Sequence, residues 1–141
     1  MITEPGQSRR VRKEQTRSTL MEAALELMTE QGIAATRTID VAERAGVAHG
    51  TVFVHFATRD DLVAAVVGRH AGDIAGRLHE LSRARGSVRA VLEGHLEGLA
   101  EHEAFYARLV MEGPLLPPYA RSTLLGIQSA ISANLAEAAE R

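Results

Sequence analysis

Histidine is the residue type in this sequence best suited to proton or metal chemistry near neutral pH, and it occurs six times. Four of the six follow residue 69: His70, His79, His95 and His102. His95 and His102 are seven residues apart and share one face of a helix, yet neither has another histidine three or four residues away. Partly buried or pocket-lining histidines explain this pattern better than a metal site does.

Other catalytic patterns are missing from the sequence. It has no cysteine, which excludes disulfides, Cys-ligated zinc, iron–sulfur clusters and cysteine nucleophiles. No Ser/His/Asp order, phosphate-binding glycine-rich loop or paired carboxylates of defined geometry can be recognised, and the glycines are scattered. We therefore predict no enzyme activity, no catalytic residue, no metal and no cofactor.

Electrostatic contact with phosphate is the chemistry that the N-terminal region favours. Basic side chains cluster there against a single acid, Glu14, and give a local charge of +4: Arg9, Arg10, Arg12, Lys13 and Arg17. The whole chain has a formal charge of −2, so the basicity is local. Such a cluster can neutralise DNA phosphates, although a solvated tail would have the same composition.

A helix-turn-helix is predicted immediately downstream, within residues 34–56. One short helix fits residues 38–45 and a second fits 49–56, and Gly46 permits the sharp turn between them. The first helix could be capped by Thr36 or Thr38. Its apolar contacts are expected from Ile39, Val41 and Ala42. This geometry presents the second helix where the major groove of B-DNA can accept it.

The elements that must position these residues are all helical. The 141 residues are 45% hydrophobic and 24% charged, typical of a soluble globular protein of one domain or one small domain with an annex. Apolar residues recur at helical spacing from Leu20 onward, without strand alternation, which predicts an all-α protein of about seven helices. No run approaches the ~18 apolar residues of a membrane helix, and the N-terminal residues do not have the charged-then-apolar pattern of a signal peptide. We therefore expect a cytoplasmic protein with no membrane partner.

Residues 17–67 resemble the DNA-binding domain of TetR-family transcriptional repressors. The resemblance is carried by the Ala-Ala pair at 23–24, the Ala-Gly-Val turn at 45–47, Gly50-Thr51, His55-Phe56 and Leu62. It implies a three-helix DNA-binding head followed by a larger helical ligand domain. It also implies a homodimer that binds double-stranded DNA at palindromic operators.

The resemblance further implies individual DNA contacts besides those of Arg9, Arg10, Arg12 and Lys13. Thr36, Arg37 and Thr38 would meet the backbone of one strand, Ala48, His49, Gly50 and Thr51 would approach base edges, and Phe53, His55 and Arg59 would contact phosphate or sugar. Three positions depart from the family pattern. Ala48 replaces a capping Ser, His49 replaces a Lys, and Phe53 replaces a Tyr whose hydroxyl reaches phosphate. Fewer polar DNA contacts are therefore expected, and the N-terminal arginines gain importance.

The second half concentrates large apolar side chains around a proline-rich break, which fits a small-ligand pocket and fits core packing equally well. In the family this region lines the effector pocket, so we take these as candidate pocket residues: His95, Leu99, His102, Phe105, Tyr106, Leu109, Met111 and Tyr119. The expected effector is a small, largely apolar molecule.

The sequence thus predicts a disordered tail at 1–8, a DNA-binding domain at 9–58 with its motif at about 37–56, and an effector-binding and dimerisation domain at 59–141. That last domain is expected to be incomplete at its C-terminal end, since residues 135–141 still have a helical pattern. The predicted function is a repressor released from its operator by an effector. Two alternatives stay open: a dimeric DNA-binding protein without an effector, and a helical carrier or enzyme.

Overall fold

The computed structural model describes residues 5–85 and 87–140, with side chains described for 6–80 and 87–140. The described residues form seven α-helices, one 3₁₀ turn and no strand, which confirms the predicted all-α class and helix number. The helices are α1 (Pro5–Gln31), α2 (Thr38–Ala45), α3 (His49–His55), α4 (Arg59–Arg85), α5 (Val88–Glu101), α6 (Glu103–Met111) and α7 (Pro118–Ala139), with the 3₁₀ turn at Gly113–Leu115 between the last two. No helix in this described part of the chain has the length and hydrophobicity needed to cross a membrane.

Helix α1 corrects the prediction of a disordered tail at 1–8. Residues 1–4 lie outside the described residues, but residues 5–8 are helical. Proline is well suited to the first turn of a helix, and the Arg, Lys and Gln side chains that follow have good helix propensity. The tail prediction was wrong there, and apolar periodicity, which begins only at Leu20, gives no sign of this part of the helix. Gly32 follows the last residue of α1 with φ of 100°, in the left-handed region that glycine adopts readily.

The turn between α2 and α3 agrees with the sequence. Gly46 has φ of 72°, and its N–H donates to the carbonyl of Glu43, while the N–H of Val47 donates to Ala42. These two hydrogen bonds satisfy carbonyls at the end of α2 and allow α3 to begin three residues later. The predicted helix boundaries are confirmed to within one residue.

Two local predictions about α2 were wrong. Its N-cap is Arg37, whose side chain does not cap it, and neither candidate threonine does so. The Thr36 hydroxyl instead donates to the Gly32 carbonyl at 2.8 Å. Ile39, expected to be an apolar contact, is 48% exposed, because Val41 and Ala42 occupy the inner face of this short helix.

The chain divides into two compact units between Val66 and Val67, within α4 and not at residue 58. Leu62, Val63 and Val66 are buried and belong to the first unit together with α1, α2 and α3. A three-helix head of this size gains apolar core from the first two turns of α4, which sequence periodicity alone assigns to the next helix.

The second unit comprises the rest of α4 with α5, α6 and α7. Its core includes Ala71, Ile74, Leu78 and Ile127, and Tyr106 packs against this cluster. Gly98 of α5 lies against α4, since a Cβ at this glycine would be 3.1 Å from Cδ2 of Leu78. The Ser87 hydroxyl accepts the Ala90 N–H at 3.2 Å and so caps the N-terminus of α5.

Candidate nucleic-acid interface

The outer face of α3 is the centre of the candidate interface. Val52 points into the core and is fully buried. Two residues correspond to about 200° of rotation in an α-helix, so Gly50 and Val54 both face away from Val52. Gly50 is exposed and Val54 is 66% exposed. These two residues form the outer line of α3, and the whole of this line is accessible to an incoming partner.

The N-terminal end of α3 is fixed by a polar contact to α2. Oγ1 of Thr38 and Nε2 of His49 lie 2.9 Å apart, which joins the first residues of the two helices. The His49 ring also packs against Phe53, with centroids 5.3 Å apart, and Phe53 is 46% exposed. Ala48 precedes them as an N-cap without a side-chain hydrogen bond. The sequence predicted that Ala48 would leave α3 without a side-chain cap, and the structure confirms this.

The C-terminal end of α3 lies beside basic residues of α1. Arg9, Lys13 and Arg17 are spaced four residues apart and share one face of α1, and all three are exposed. Burial and the nearby charges of Lys13 and Arg17 lower the pKa of His55. The guanidinium of Arg17 lies over the ring of Phe56, 4.9 Å from its centroid. One cluster of positive charge therefore flanks the C-terminal end of α3.

Within the described residues, Nδ1 of His55 is buried without a hydrogen-bond partner. A phosphate oxygen would favour the charged form of this imidazole, which Lys13 and Arg17 disfavour in the free protein. Arg10 and Arg12 are also accessible to a phosphate. Arg12 is exposed, and Arg10 makes a solvent-exposed pair with Glu14 at 3.6 Å.

Three of the sequence-predicted contacts have other structural partners. Thr36 is 2% exposed, so its side chain is not available to DNA. Arg37 is exposed but makes two hydrogen bonds to Asp40, at 2.8 and 3.0 Å, and this pairing lowers the pKa of Asp40. Nε of Arg59 donates to the Thr36 carbonyl at 2.9 Å and a terminal nitrogen donates to that of Ile33.

The inward direction of Arg59 corrects its predicted role. Carbonyls at the end of a helix and in the following turn lack partners within the helix, and a guanidinium from α4 satisfies two of them. The second terminal nitrogen of Arg59 takes no part in these two hydrogen bonds. A phosphate contact by Arg59 would therefore be secondary to its structural role. Sequence patterns gave no sign of it, because the partners are 23 and 26 residues away.

Arg44 and Val54 contribute to the head but were not singled out from sequence. Arg44 pairs with Glu26 at 3.1 Å and Glu30 at 3.0 Å, which ties α2 to α1. Val54 is the most exposed large apolar side chain in the described part of the head. The available signal was its spacing of four residues from Gly50, on the face opposite Val52.

The candidate pocket residues of the second unit do not meet at one site. Phe105 and Leu109 are buried in the core, whereas Met111 and Tyr119 are 74% and 70% exposed. A pocket formed by all eight is therefore a wrong prediction, because α6 and the start of α7 turn these side chains to different sides. The sequence had grouped them by the large side chains around the proline-rich break and by the family resemblance.

Two smaller groups do form among them. Leu99 and Tyr106 line an apolar groove of about 310 Å³ between α5 and α6, which also includes Leu96, Ala100, Glu103 and Ala107. On α4, His70 is 8% exposed and meets the rings of His102 and Phe105 edge-on, with centroids 4.5 and 4.6 Å away. Burial and the nearby His102 lower the pKa of His70 to about 4. His95 is half-buried, and burial lowers its pKa as well.

Comparison with known proteins agrees with this geometry. Residues 20–66 match the family described as "Bacterial regulatory proteins, tetR family". These residues contain α2, α3 and the buried part of α1, with the first turns of α4. Residues 20–66 thus form a TetR-type domain. The matched segment ends at the residue where the first unit ends, so the TetR-type domain and this compact unit share their C-terminal limit.

Relatives of this chain include the HTH-type transcriptional repressor Rv3405c of Mycobacterium tuberculosis, 34% identical over 116 residues. That match covers 80% of this chain and 57% of the relative, so the chain spans a little over half the length of that repressor. Reduced NemR of Escherichia coli has a TM-score of 0.74 at 20% identity, covering 89% of this chain and 70% of NemR.

A second solved structure similar to this chain was determined with a bound ligand. FadR of Bacillus subtilis, solved in complex with stearoyl-CoA, has a TM-score of 0.67 at 20% identity, covering 86% of this chain and 67% of FadR. At this identity the likeness concerns the fold alone.

Proposed function

We propose that this chain is a DNA-binding transcriptional repressor that acts as a homodimer on a palindromic operator and is released by a small-molecule effector. The observation that carries the DNA-binding part is the exposed outer face of α3, flanked by the Lys13 and Arg17 side chains of α1. A protruding short helix next to clustered positive charge suits the major groove and its adjacent phosphates.

The proposed contacts divide by their chemistry. His49, Gly50 and Thr51 lie at the start of α3 and would approach base edges, with Thr38 holding His49. Phe53 and His55 would lie against sugar and phosphate. The basic residues of α1 would add contacts that carry no sequence information but fix affinity and orientation.

The proposed release mechanism is a change in the spacing of two recognition helices. In a dimer, the two copies of α3 must lie about 34 Å apart to enter successive major grooves. An effector that binds better to a differently spaced state lowers operator affinity by the ratio of its affinities for the two states. The second unit would bind the effector and form the dimer contact.

The groove between α5 and α6 is the proposed place for an apolar effector. Leu96 is 66% exposed at its edge, and Leu99, Tyr106 and the two alanines supply further apolar surface. Small-ligand sites are mostly apolar with a few polar groups, and here these would be the Tyr106 hydroxyl and the Glu103 carboxylate. The binding of stearoyl-CoA by FadR supports the idea that this fold accommodates such ligands.

DNA binding is tested by fluorescence anisotropy with the palindrome upstream of the protein's own gene and a scrambled duplex, each at two salt concentrations. We expect the palindrome to bind at least about 10³-fold more tightly, with a steep loss of affinity as salt rises. Equal affinity for both duplexes at each salt concentration would contradict the proposal.

Matched variants separate the kinds of contact. His49→Ala with Thr51→Ala should lower affinity for the palindrome and leave scrambled DNA little affected. Arg9→Ala should weaken binding to both duplexes. It should also reduce the slope of log affinity against log salt concentration by about one. Arg121→Ala removes an exposed positive charge from α7 and serves as the control, with an unchanged slope expected.

The effector is tested by thermal shift against a metabolite collection, followed by anisotropy with each hit. A compound that raises the melting temperature and releases the palindrome supports the full proposal. Stabilising compounds that leave DNA binding unchanged would favour an effector-independent DNA-binding protein. A helical carrier or enzyme is favoured if ligands bind while no DNA does.

A further inference from the structure

The outer line of α3 is apolar, and this limits what it can recognise. Gly50 and Val54 are four residues apart, opposite the buried Val52, so they form the ridge that would enter deepest into a groove. Neither has a polar side-chain atom. Direct hydrogen bonds to bases can therefore come only from side chains on the flanks of the helix.

Space around this ridge also matters. A Cβ added at Gly50 would have no heavy atom within 4 Å, so packing within the protein does not require glycine there. The gap beside Val54 lets the backbone of α3 come close to a partner surface. Val54, at 66% exposure, is then the first side chain that the partner meets.

The ends of α3 differ from its middle. His49 and Thr38 provide polar groups at the first residue, and Lys13, Arg17 and His55 provide positive charge or hydrogen bonding near the last. Phosphates at the two walls of a groove would match these ends. Between them the partner must offer an apolar feature to the Val54 methyl groups.

The C5-methyl of thymine is the apolar feature that unmodified base pairs display in the major groove. We infer that Val54 is a specificity-determining residue of this protein, and that each operator half-site carries a thymine whose methyl group packs against it. This inference rests on the proposed function, because it assumes that α3 enters DNA. It goes further by assigning a base to a side chain that the sequence pattern did not select.

The inference is tested with full-length chain and the bound palindrome by replacing thymines with deoxyuridine, one position of each half-site at a time. Deoxyuridine keeps the hydrogen bonds of thymine and removes its methyl group. We expect one position where this exchange weakens binding about fourfold per half-site, the effect of exposing one methyl group to water.

Val54→Ala assigns the effect to this side chain. At the sensitive position, the penalty for deoxyuridine should vanish in Val54→Ala and persist in Val54→Thr, which keeps a branched methyl. Val11→Ala on α1 truncates another exposed apolar side chain, 49% exposed, and should keep the full penalty. Thermal unfolding of each variant checks that the fold is retained, as expected for exposed positions.

Different results overturn different statements. If no thymine position is sensitive, or if Val54→Ala keeps the same penalty as the unmodified protein, the assignment to Val54 is wrong while DNA binding stands. If the protein prefers no duplex at any salt concentration, the proposed function fails and this inference fails with it.

Discussion

The hydroxyl oxygen of Thr38 lies 2.9 Å from Nε2 of His49 and so connects the first residue of α2 to the first residue of α3. The hydrogen bond holds the imidazole at the edge of α3, where the ring also packs on Phe53. The neutral and the charged imidazole can both keep this contact, since a hydroxyl either donates or accepts. It orders a side chain that would otherwise sample several rotamers.

Thr38→Val should lower operator affinity about threefold, because a lost exposed hydrogen bond leaves His49 less ordered at a cost near the lower end of the usual range. The measurement is anisotropy with the palindrome. Thr19→Val is a matched control, since the Thr19 hydroxyl donates only to the Gln15 carbonyl of its own helix. Equal affinities for these two variants would show that the Thr38 contact has no part in binding.

Gly46 and Gly50 should respond oppositely to alanine. Gly46→Ala forces a side chain into the left-handed region at φ of 72° and should cost about 1–2 kcal/mol of unfolding free energy. Gly50 lies in a helix with open space around it, so Gly50→Ala should raise the unfolding free energy by about 0.5–1 kcal/mol.

Urea unfolding of both variants measures these values, and DNA binding adds a second readout. Gly50→Ala should weaken operator binding despite its higher stability, because the new methyl group stands on the outermost line of α3. Unchanged affinity would mean that α3 does not approach DNA along this line.

Arg59→Met should destabilise the head by about 2–3 kcal/mol, since two carbonyls lose a charged donor near the end of α1. The measurement is the urea midpoint in the absence of DNA. Arg12→Met, which removes an exposed charge from α1, is the control and should unfold like the unmodified protein. A normal midpoint for Arg59→Met would return this residue to a role in phosphate contact alone.

The second unit should become less stable as the pH is lowered, because of His70. Burial and the nearby His102 lower its folded-state pKa to about 4, with Asp73 acting in the opposite direction. The unfolded chain, with a pKa near 6.5, then takes up the proton first as pH falls. The His70 contribution is therefore complete above about pH 6.5 and decreases towards pH 4, by roughly 3 kcal/mol in total.

Urea unfolding across this acidic range measures the slope. His70→Leu should make the dependence on pH much shallower, leaving the weaker slope of the same sign from half-buried His95. His79→Gln, at an exposed position of the same helix, should keep the original profile. An identical slope in His70→Leu would contradict the assignment.

The sequence by itself determined the local structure of this protein. Apolar spacing, the glycines at 32 and 46 and the proline break located the helices, because helices and tight turns depend on contacts between residues close in the chain. The family pattern at 17–67 then located the DNA-binding head, and the matched segment at 20–66 agrees with it.

Only the tertiary structure decided which side chains of those helices are free to act. Arg59 turns to carbonyls 23 and 26 residues away, Thr36 is enclosed, and Val54 is left outside, all because of how α1, α2, α3 and the start of α4 pack. His70 of α4 likewise meets His102, the residue between α5 and α6. Helical period states which residues share a face, but burial of that face depends on partners distant in sequence, and no local pattern contains them.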